Sequence, residues 1–330
     1  MVLHRPADAG TNPLVLREIP QPDPGPTDVR VRIELCGVCR TDLHIVEGEL
    51  PLPRLPVVPG HEAVGIVEAI GHDVRDLREG DRVGIAWLQQ TCGRCTFCKS
   101  GRENLCPDAV FTGYHRDGGY ADTVIVPAAF AYPIPQTLKS EEAAPLLCAG
   151  IIGFRALRRS EVRPGQRLGL YGFGASAHIT IQIARHWGCE VYVCSLREDH
   201  RRLARELGAV WVGEASESPP EKLHGAILFA PAGELVAPAL RALDRGGTLA
   251  VAGIHMTPIP TLDYDRDLFY ERTVRSVTAN TKQDGLDLLR EAAAIPVRPH
   301  TVPIPLTDAN RALQALKAGT IQGAAVLTMS

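Results

Sequence analysis

Leu168-Gly169-Leu170-Tyr171-Gly172-Phe173-Gly174-Ala175-Ser176-Ala177 is a glycine-rich stretch near the middle of the chain. It sets a G-x-G-x-x-A turn between an apolar run and a helical pattern. In that setting Gly172 permits a tight turn, Gly174 lets the backbone approach a pyrophosphate, and Ala177 is small enough for close helix–strand packing. The helix N-terminus, opening at Ala175 and Ser176, supplies N–H groups and positive potential to the phosphates. A glycine turn can also serve packing alone, so the flanking pattern matters. Strand-like runs at 167–172, 190–196, 225–230 and 248–254 alternate with helical patterns at 175–187, 201–207 and 235–243. That βαβ series predicts a parallel, doubly wound sheet that binds a dinucleotide.

The end of the second strand in such a sheet normally carries an acid that holds the adenosine 2′-hydroxyl of NAD. Here the place falls near Ser195-Leu196-Arg197, and no acid stands there until Glu198. A hydroxyl with a nearby arginine suits the 2′-phosphate of NADP better, since a carboxylate would repel it. If Arg197 is instead a solvated surface charge, NAD is the cofactor. The reading leans to NADP.

Outward from this core the texture changes. Up to about residue 145 the chain is short β-like runs, at 29–35, 62–70, 81–86 and 120–126, punctuated by turns. Beyond about 273 a strand-like run at 273–279 precedes a helical one at 284–294. At 330 residues the expectation is two domains sharing a cleft. A formal net charge of -3 argues against nucleic acid or an anionic membrane as partner. The start shows no apolar signal region, and the longest apolar stretch, 143–154, is too short to span a bilayer, so a soluble cytoplasmic protein is expected. Nine cysteines, an odd count without a secretory signal, point to reduced thiols that serve metals or the core.

Two groups of residues suit a metal. Cys92, Cys95, Cys98 and Cys106 stand in C-G-R-C-T-F-C-K-S-G-R-E-N-L-C, a density that fits one tetrahedral zinc in a closed structural site. An iron–sulfur cluster of the bacterial ferredoxin type would space its last cysteine by three residues rather than seven. The second group is scattered: Cys36-Gly37-Val38-Cys39-Arg40-Thr41-Asp42-Leu43-His44, then Pro59-Gly60-His61-Glu62, then Cys148. A thiol, an imidazole and carboxylates beside turns supply the ligand types of a zinc that keeps one position open. Taken singly, His61 reads as a structural histidine, Cys148 as a buried apolar cysteine, and Thr41 and Asp42 as turn caps.

Taken together and in order, the G-V-C-R-T-D-L-H segment, G-H-E, the four-cysteine lobe and the glycine turn resemble the zinc-dependent alcohol dehydrogenases of the medium-chain dehydrogenase/reductase superfamily. The resemblance spans nearly the whole chain. It implies an α/β protein with a GroES-like β-rich catalytic domain at 1–148, a Rossmann NAD(P)-binding domain at 149–274, and a C-terminal segment, 275–330, that returns to the catalytic domain. By motif match, Cys39, His61 and Cys148 would bind the catalytic zinc, with Glu62 behind it as a transient ligand, while Cys36 would be a packed thiol. Two zinc ions per chain follow.

The same resemblance gives Thr41 and His44 a proton relay. Thr41 would accept the alcohol proton and pass it, by way of the cofactor ribose, to His44 near solvent as hydride goes to the nicotinamide. Asp42 would fix the tautomer of His61. Arg40 matches a pyrophosphate contact. In Gly319-Thr320-Ile321-Gln322-Gly323-Ala324, Ala324 stands where the family often has a second phosphate-binding arginine, so weaker cofactor binding is expected. Trp87 matches a bulky position of the substrate pocket and suggests small primary alcohols or the corresponding aldehydes; a core aromatic is the plainer alternative. A homodimer or homotetramer is implied, joined along an exposed final strand of the cofactor sheet near 248–254. The rivals are a zinc-containing polyol dehydrogenase, a zinc-free reductase of the same fold, and a non-catalytic zinc-stabilised nucleotide-binding protein.

Overall fold

The computed structural model describes residues 1–214, 217–295, 297–321 and 323–329. The chain divides into two compact units, one formed by Met1–Cys148, Ala279–Ala294 and Arg298–Ser330, the other by Ala149–Thr278 with Ile295–Val297.

In the first unit, a short antiparallel pair of Val2–Leu3 with Leu14–Val15 precedes β1 (Asp28–Gly37) and the short helix α1 (Arg40–Glu47). It continues through β2 (Ala63–Ile70), β3 (Arg82–Ile85), β4 (Thr123–Pro127) and β5 (Ala131–Pro133). Along β1, Val29, Val31 and Ile33 point into the core while Arg30, Arg32 and Glu34 point out, the period of two expected of a half-buried strand. At its end the alternation stops, and Leu35, Cys36 and Gly37 are all buried. There the strand leaves the solvated face of the sheet and enters the interior.

The second unit begins with α2 (Ile151–Arg159) and runs through β6 (Arg167–Tyr171), α3 (Ala175–His186), β7 (Glu190–Cys194), α4 (Glu198–Glu206) and β8 (Trp211–Gly213). It ends with β9 (Leu223–Leu228), α5 (Val236–Ala242), β10 (Leu243–Val251) and β11 (Thr273–Ser276). The six strands pair in the order β8-β7-β6-β9-β10-β11, all parallel. Their continuous apolar runs fit a sheet covered on both faces, as parallel sheets require. Tyr171, Tyr192, Leu228, Val236, Leu240 and Leu249 share its core.

Two expectations need correction. The strand near 248–254 is not the edge of this sheet, because residues 273–276 add a sixth parallel strand, Thr248 pairing with Thr273 and Val251 with Ser276. The helix expected at 201–207 starts at Glu198 instead. Glu198 and Asp199 fill its first turn, where the N-terminal end of the helix dipole favours acids.

After Thr278 the chain rejoins the first unit. Helix α6 (Lys282–Ala294), β12 (Thr301–Pro305), α7 (Ala309–Ala318) and β13 (Ala324–Thr328) complete it. The sheet path is β12-β13-β1-β2-β3-β5, with β4 also paired to β1. Cys36 lies opposite Ala63 on one side and Leu327 on the other, so the C-terminal strand walls in the end of β1. No helix among the described residues is long and apolar enough to cross a membrane.

Candidate active site

The ligand-bearing segments meet within the first unit. Cys39 precedes the first turn of α1, and the Asp42 carboxylate accepts from the Cys39 backbone N–H through Oδ2 at 2.9 Å. That cap fixes the start of the helix, and with it the places of Thr41 and His44 three residues apart on one side. The helix ends at Gly48, whose φ of 76° is the left-handed conformation that favours glycine at this position.

Asp42 does more than cap. It is fully buried, and its Oδ1 accepts from the Gly60 N–H at 3.1 Å and lies 3.0 Å from His61 Nδ1. A proton on Nδ1 makes that contact a hydrogen bond and leaves Nε2 as the ligand atom. Nε2 is buried and has no hydrogen-bond partner among the described residues. Such an orphan is costly unless something else occupies the site.

The occupant's chemistry follows from the neighbours. One ligand atom from each of Cys39, His61, Glu62 and Cys148 falls within 4.8 Å of the others. Cys39 Sγ and Cys148 Sγ are 3.7 Å apart, close to the roughly 3.8 Å that tetrahedral bonds of about 2.3 Å to zinc would set. Cys39 is pulled well below the usual thiol range because the Cys148 thiol donates to it. Burial pushes the Glu62 carboxyl well above the usual carboxylate range, and the neighbouring Cys39 adds to the effect. A buried set of anion-forming groups around one imidazole is offset by a divalent cation, and this donor set fits zinc. Cys148 reaches the cluster from a π-helical turn, Leu146–Gly150, an irregularity that often marks functional positions. Cys36 is fully buried outside the cluster.

The other side chains lie around this centre. Thr41 is buried, with Oγ1 3.8 Å from Cys39 Sγ. His44 is half-buried and its Nδ1 is bonded to the Glu49 carboxylate. Trp87 stands edge-on to His61, ring centroids 5.1 Å apart, and also packs against the core of this unit. Its ring is stacked on Phe111 at 4.9 Å and flanked by Tyr114 at 5.8 Å. Glu49, Phe111 and Tyr114 escape sequence reasoning. A carboxylate just past the glycine that ends α1 is a weak cue to Glu49, but Phe111 and Tyr114 carry no local signal, because only folding brings them to Trp87.

The four-cysteine lobe forms a second cluster, with the Cys92, Cys95, Cys98 and Cys106 sulfurs all within 4.8 Å of one another. Cys92 and Cys98 are 3.9 Å apart and Cys95 and Cys98 3.5 Å, again the spacing of a tetrahedral zinc. Backbone N–H groups of Arg94 and Cys95 pull the Cys92 thiol down to about 6. Glu103, inside the lobe, accepts from the Lys282 N–H at 2.7 Å and so tethers the lobe to the start of α6.

In the second unit, Gly172 has φ 90°, and a β-carbon there would come 2.8 Å from the Ala230 nitrogen. Gly174 precedes α3, and a β-carbon on it would meet open space. This is the room a pyrophosphate needs against the first-turn N–H groups of Ala175 and Ser176, and a nicotinamide dinucleotide fits the turn. Ser195 follows β7, with its carbonyl accepting from Arg201 at 2.8 Å. Arg197 forms a two-point ion pair with Asp199, at 2.6 and 3.0 Å. Arg40 is exposed on α1, and Ala324 is buried at the start of β13; Gln322, in the segment before it, lies outside the described residues.

Comparison with known proteins agrees with this geometry. Residues 25–136 match the alcohol dehydrogenase GroES-like domain, and residues 177–294 match the zinc-binding dehydrogenase family. The chain is 52% identical over 330 residues to the protein named "Probable alcohol dehydrogenase AdhA" of Mycobacterium tuberculosis, covering 98% of this chain and 95% of that one. It is 36% identical over 325 residues to an alcohol dehydrogenase of Geobacillus stearothermophilus, covering 96% of each. A cinnamyl alcohol dehydrogenase structure from Sorghum bicolor superposes with a TM-score of 0.89 at 28% identity, covering 98% of this chain and 96% of that one.

The chain belongs to the zinc-dependent alcohol dehydrogenases of the medium-chain dehydrogenase/reductase superfamily. It is an oxidoreductase that oxidises an alcohol with NAD(P), built from a GroES-like unit and a Rossmann-like unit.

Proposed function

We propose that the alcohol is oxidised at the Cys39, His61, Glu62 and Cys148 cluster and that the four-cysteine lobe carries a second, structural zinc. The observation that carries this reading is the orphaned His61 Nε2 among two thiols and a carboxylate within ligand distance. Zinc, when bound there, supplies the positive charge that makes an alcohol hydroxyl more acidic. NAD(P), when bound, accepts the hydride.

The chain's own residues do the rest. Asp42 holds the His61 ring so that Nε2 faces the cluster. Thr41, buried beside Cys39, takes the substrate's hydroxyl proton at Oγ1 and gives up its own. His44, half-buried and bonded through Nδ1 to Glu49, carries a proton toward solvent. Trp87 limits the space beside His61 and favours small primary alcohols or their aldehydes.

Ser195 in place of an acid favours NADP, while the pairing of Arg197 with Asp199 opposes it, because a 2′-phosphate must compete with that carboxylate. NADP is the proposed cofactor, Arg40 a proposed pyrophosphate contact, the cytoplasm the proposed location, and a homodimer or homotetramer the proposed assembly. A matrix of short alcohols and aldehydes against NAD and NADP, run before and after chelation, tests the reading. Turnover that is lost on chelation and restored by zinc supports it. Complete inactivity with both metal sites filled contradicts it.

A further inference from the structure

Glycine in a strand has no side chain to pack and often marks a close approach of another group. Gly37 ends β1 in the buried part of the sheet, and its N–H donates to the Glu62 carbonyl at 2.9 Å. Its backbone does not require glycine, because Gly37 is not among the residues with positive φ. The reason lies in the side chain opposite. A β-carbon on Gly37 would overlap Glu62 Oε2 and stand 2.9 Å from both Cβ and Cδ of Glu62. The volume left by the missing methyl is the volume the carboxylate fills. Glu62 is only 3% exposed, so its carboxylate has no route of retreat into solvent. From this seat one of its oxygens lies within 4.8 Å of the ligand atoms of Cys39, His61 and Cys148.

We propose that Gly37 is a positioning residue for the metal centre: by lacking a β-carbon it seats the Glu62 carboxylate within reach of the metal. The proposal rests on the reading of that cluster as the catalytic zinc site. Alanine at 37 takes the carboxylate's place and turns it out of the ligand set, whereas aspartate at 62, one methylene shorter, withdraws the end of the side chain from the overlap and leaves only the 2.9 Å approach to its own Cβ.

The test is zinc release from the full-length, zinc-loaded protein to a chromogenic chelator, without substrate or cofactor. The four-cysteine zinc serves as an internal control. In Gly37→Ala the catalytic zinc is expected to leave about tenfold faster, the low end of what loss of a supporting contact costs a metal site. The lobe zinc should leave at its original rate. In Gly37→Ala/Glu62→Asp the catalytic zinc should leave at the rate of Glu62→Asp alone. An unchanged rate in Gly37→Ala, equal acceleration of both zincs, or a double variant clearly more labile than Glu62→Asp alone would overturn the proposal. Where Gly37→Ala is insoluble, recovery of a zinc-loaded protein by adding Glu62→Asp supports it, and failure in both backgrounds overturns it. If the unmodified protein takes up no zinc at Cys39, His61 and Cys148, the reading of the site itself fails. If it takes up zinc and the substitution is silent, only the role of Gly37 fails.

Discussion

Replacing Asp42 by asparagine probes how one buried carboxylate serves both helix and metal. Asp42 accepts from three donors, Cys39 N–H at 2.9 Å, Gly60 N–H at 3.1 Å and His61 Nδ1 at 3.0 Å, and its side chain is sealed from solvent. Asparagine keeps the shape and one carbonyl oxygen. If that oxygen stays on Gly60 and His61, the amide NH2 faces the Cys39 N–H, donor against donor. The charge-assisted bond lost there is worth about 1.5–3 kcal/mol. With Cys39 as a proposed ligand and His61 losing the charge that orients it, zinc affinity should fall about 10- to 100-fold, the usual cost of removing such a supporting partner. Competition with a graded chelator measures the affinity, and a thermal melt of the zinc-loaded protein measures the fold. Zinc affinity within twofold of the unmodified protein, with an unchanged melt, would refute the double role. Aspartate-to-alanine should cost more, since it leaves three buried N–H groups without their acceptor.

Trp87→Ala should raise kcat/KM for branched or longer alcohols relative to ethanol by about tenfold or more, the usual worth of a methylene or so in an apolar pocket; an unshifted profile would place Trp87 outside substrate selection. Asp199→Asn weakens the pairing with Arg197 and should raise the ratio of kcat/KM for NADP over NAD by up to about fivefold, the scale of an exposed ion pair. A ratio that does not move would remove Arg197 from cofactor choice. Asp267 is buried; burial works to raise its carboxyl, but Arg241 at 2.8 Å and the Asp263 N–H outweigh it and hold the carboxyl below its ordinary value. A depressed folded value stabilises above the unfolded pKa of about 3.9 and is lost as pH falls through the folded value. Asp267→Asn should therefore cost about 1.5–3 kcal/mol at neutral pH. In denaturation series the gap should narrow below about pH 4, and a gap that widens in acid would reverse the assignment.

The parts of the molecule that are legible in the sequence are those governed by local rules. The turn at Gly172 and Gly174, the βαβ alternation after it and the four cysteines of the lobe each lie within a short window, and their geometry follows from neighbours in the chain. The proposed catalytic cluster is legible only through its likeness to a family, because Cys39, His61 and Cys148 converge across about a hundred residues and no spacing rule foretells that. What the sequence hides is what depends on distant packing. The edge strand at 273–276 extends a sheet begun a hundred residues earlier, so 248–254 reads as the end. Gly37 looks like any glycine until Glu62 is placed against it. Arg197 reads as a free surface charge or a phosphate contact until α4 begins a turn early and sets Asp199 against it.

In the proposed reading, catalysis belongs to the scattered cluster and structure to the conspicuous one. Zinc content, turnover and melting temperature measured together on Cys148→Ser test it most directly. One zinc should remain per chain, with turnover reduced to background and a melt close to that of the unmodified protein. Turnover retained with the Cys148 site empty would contradict it.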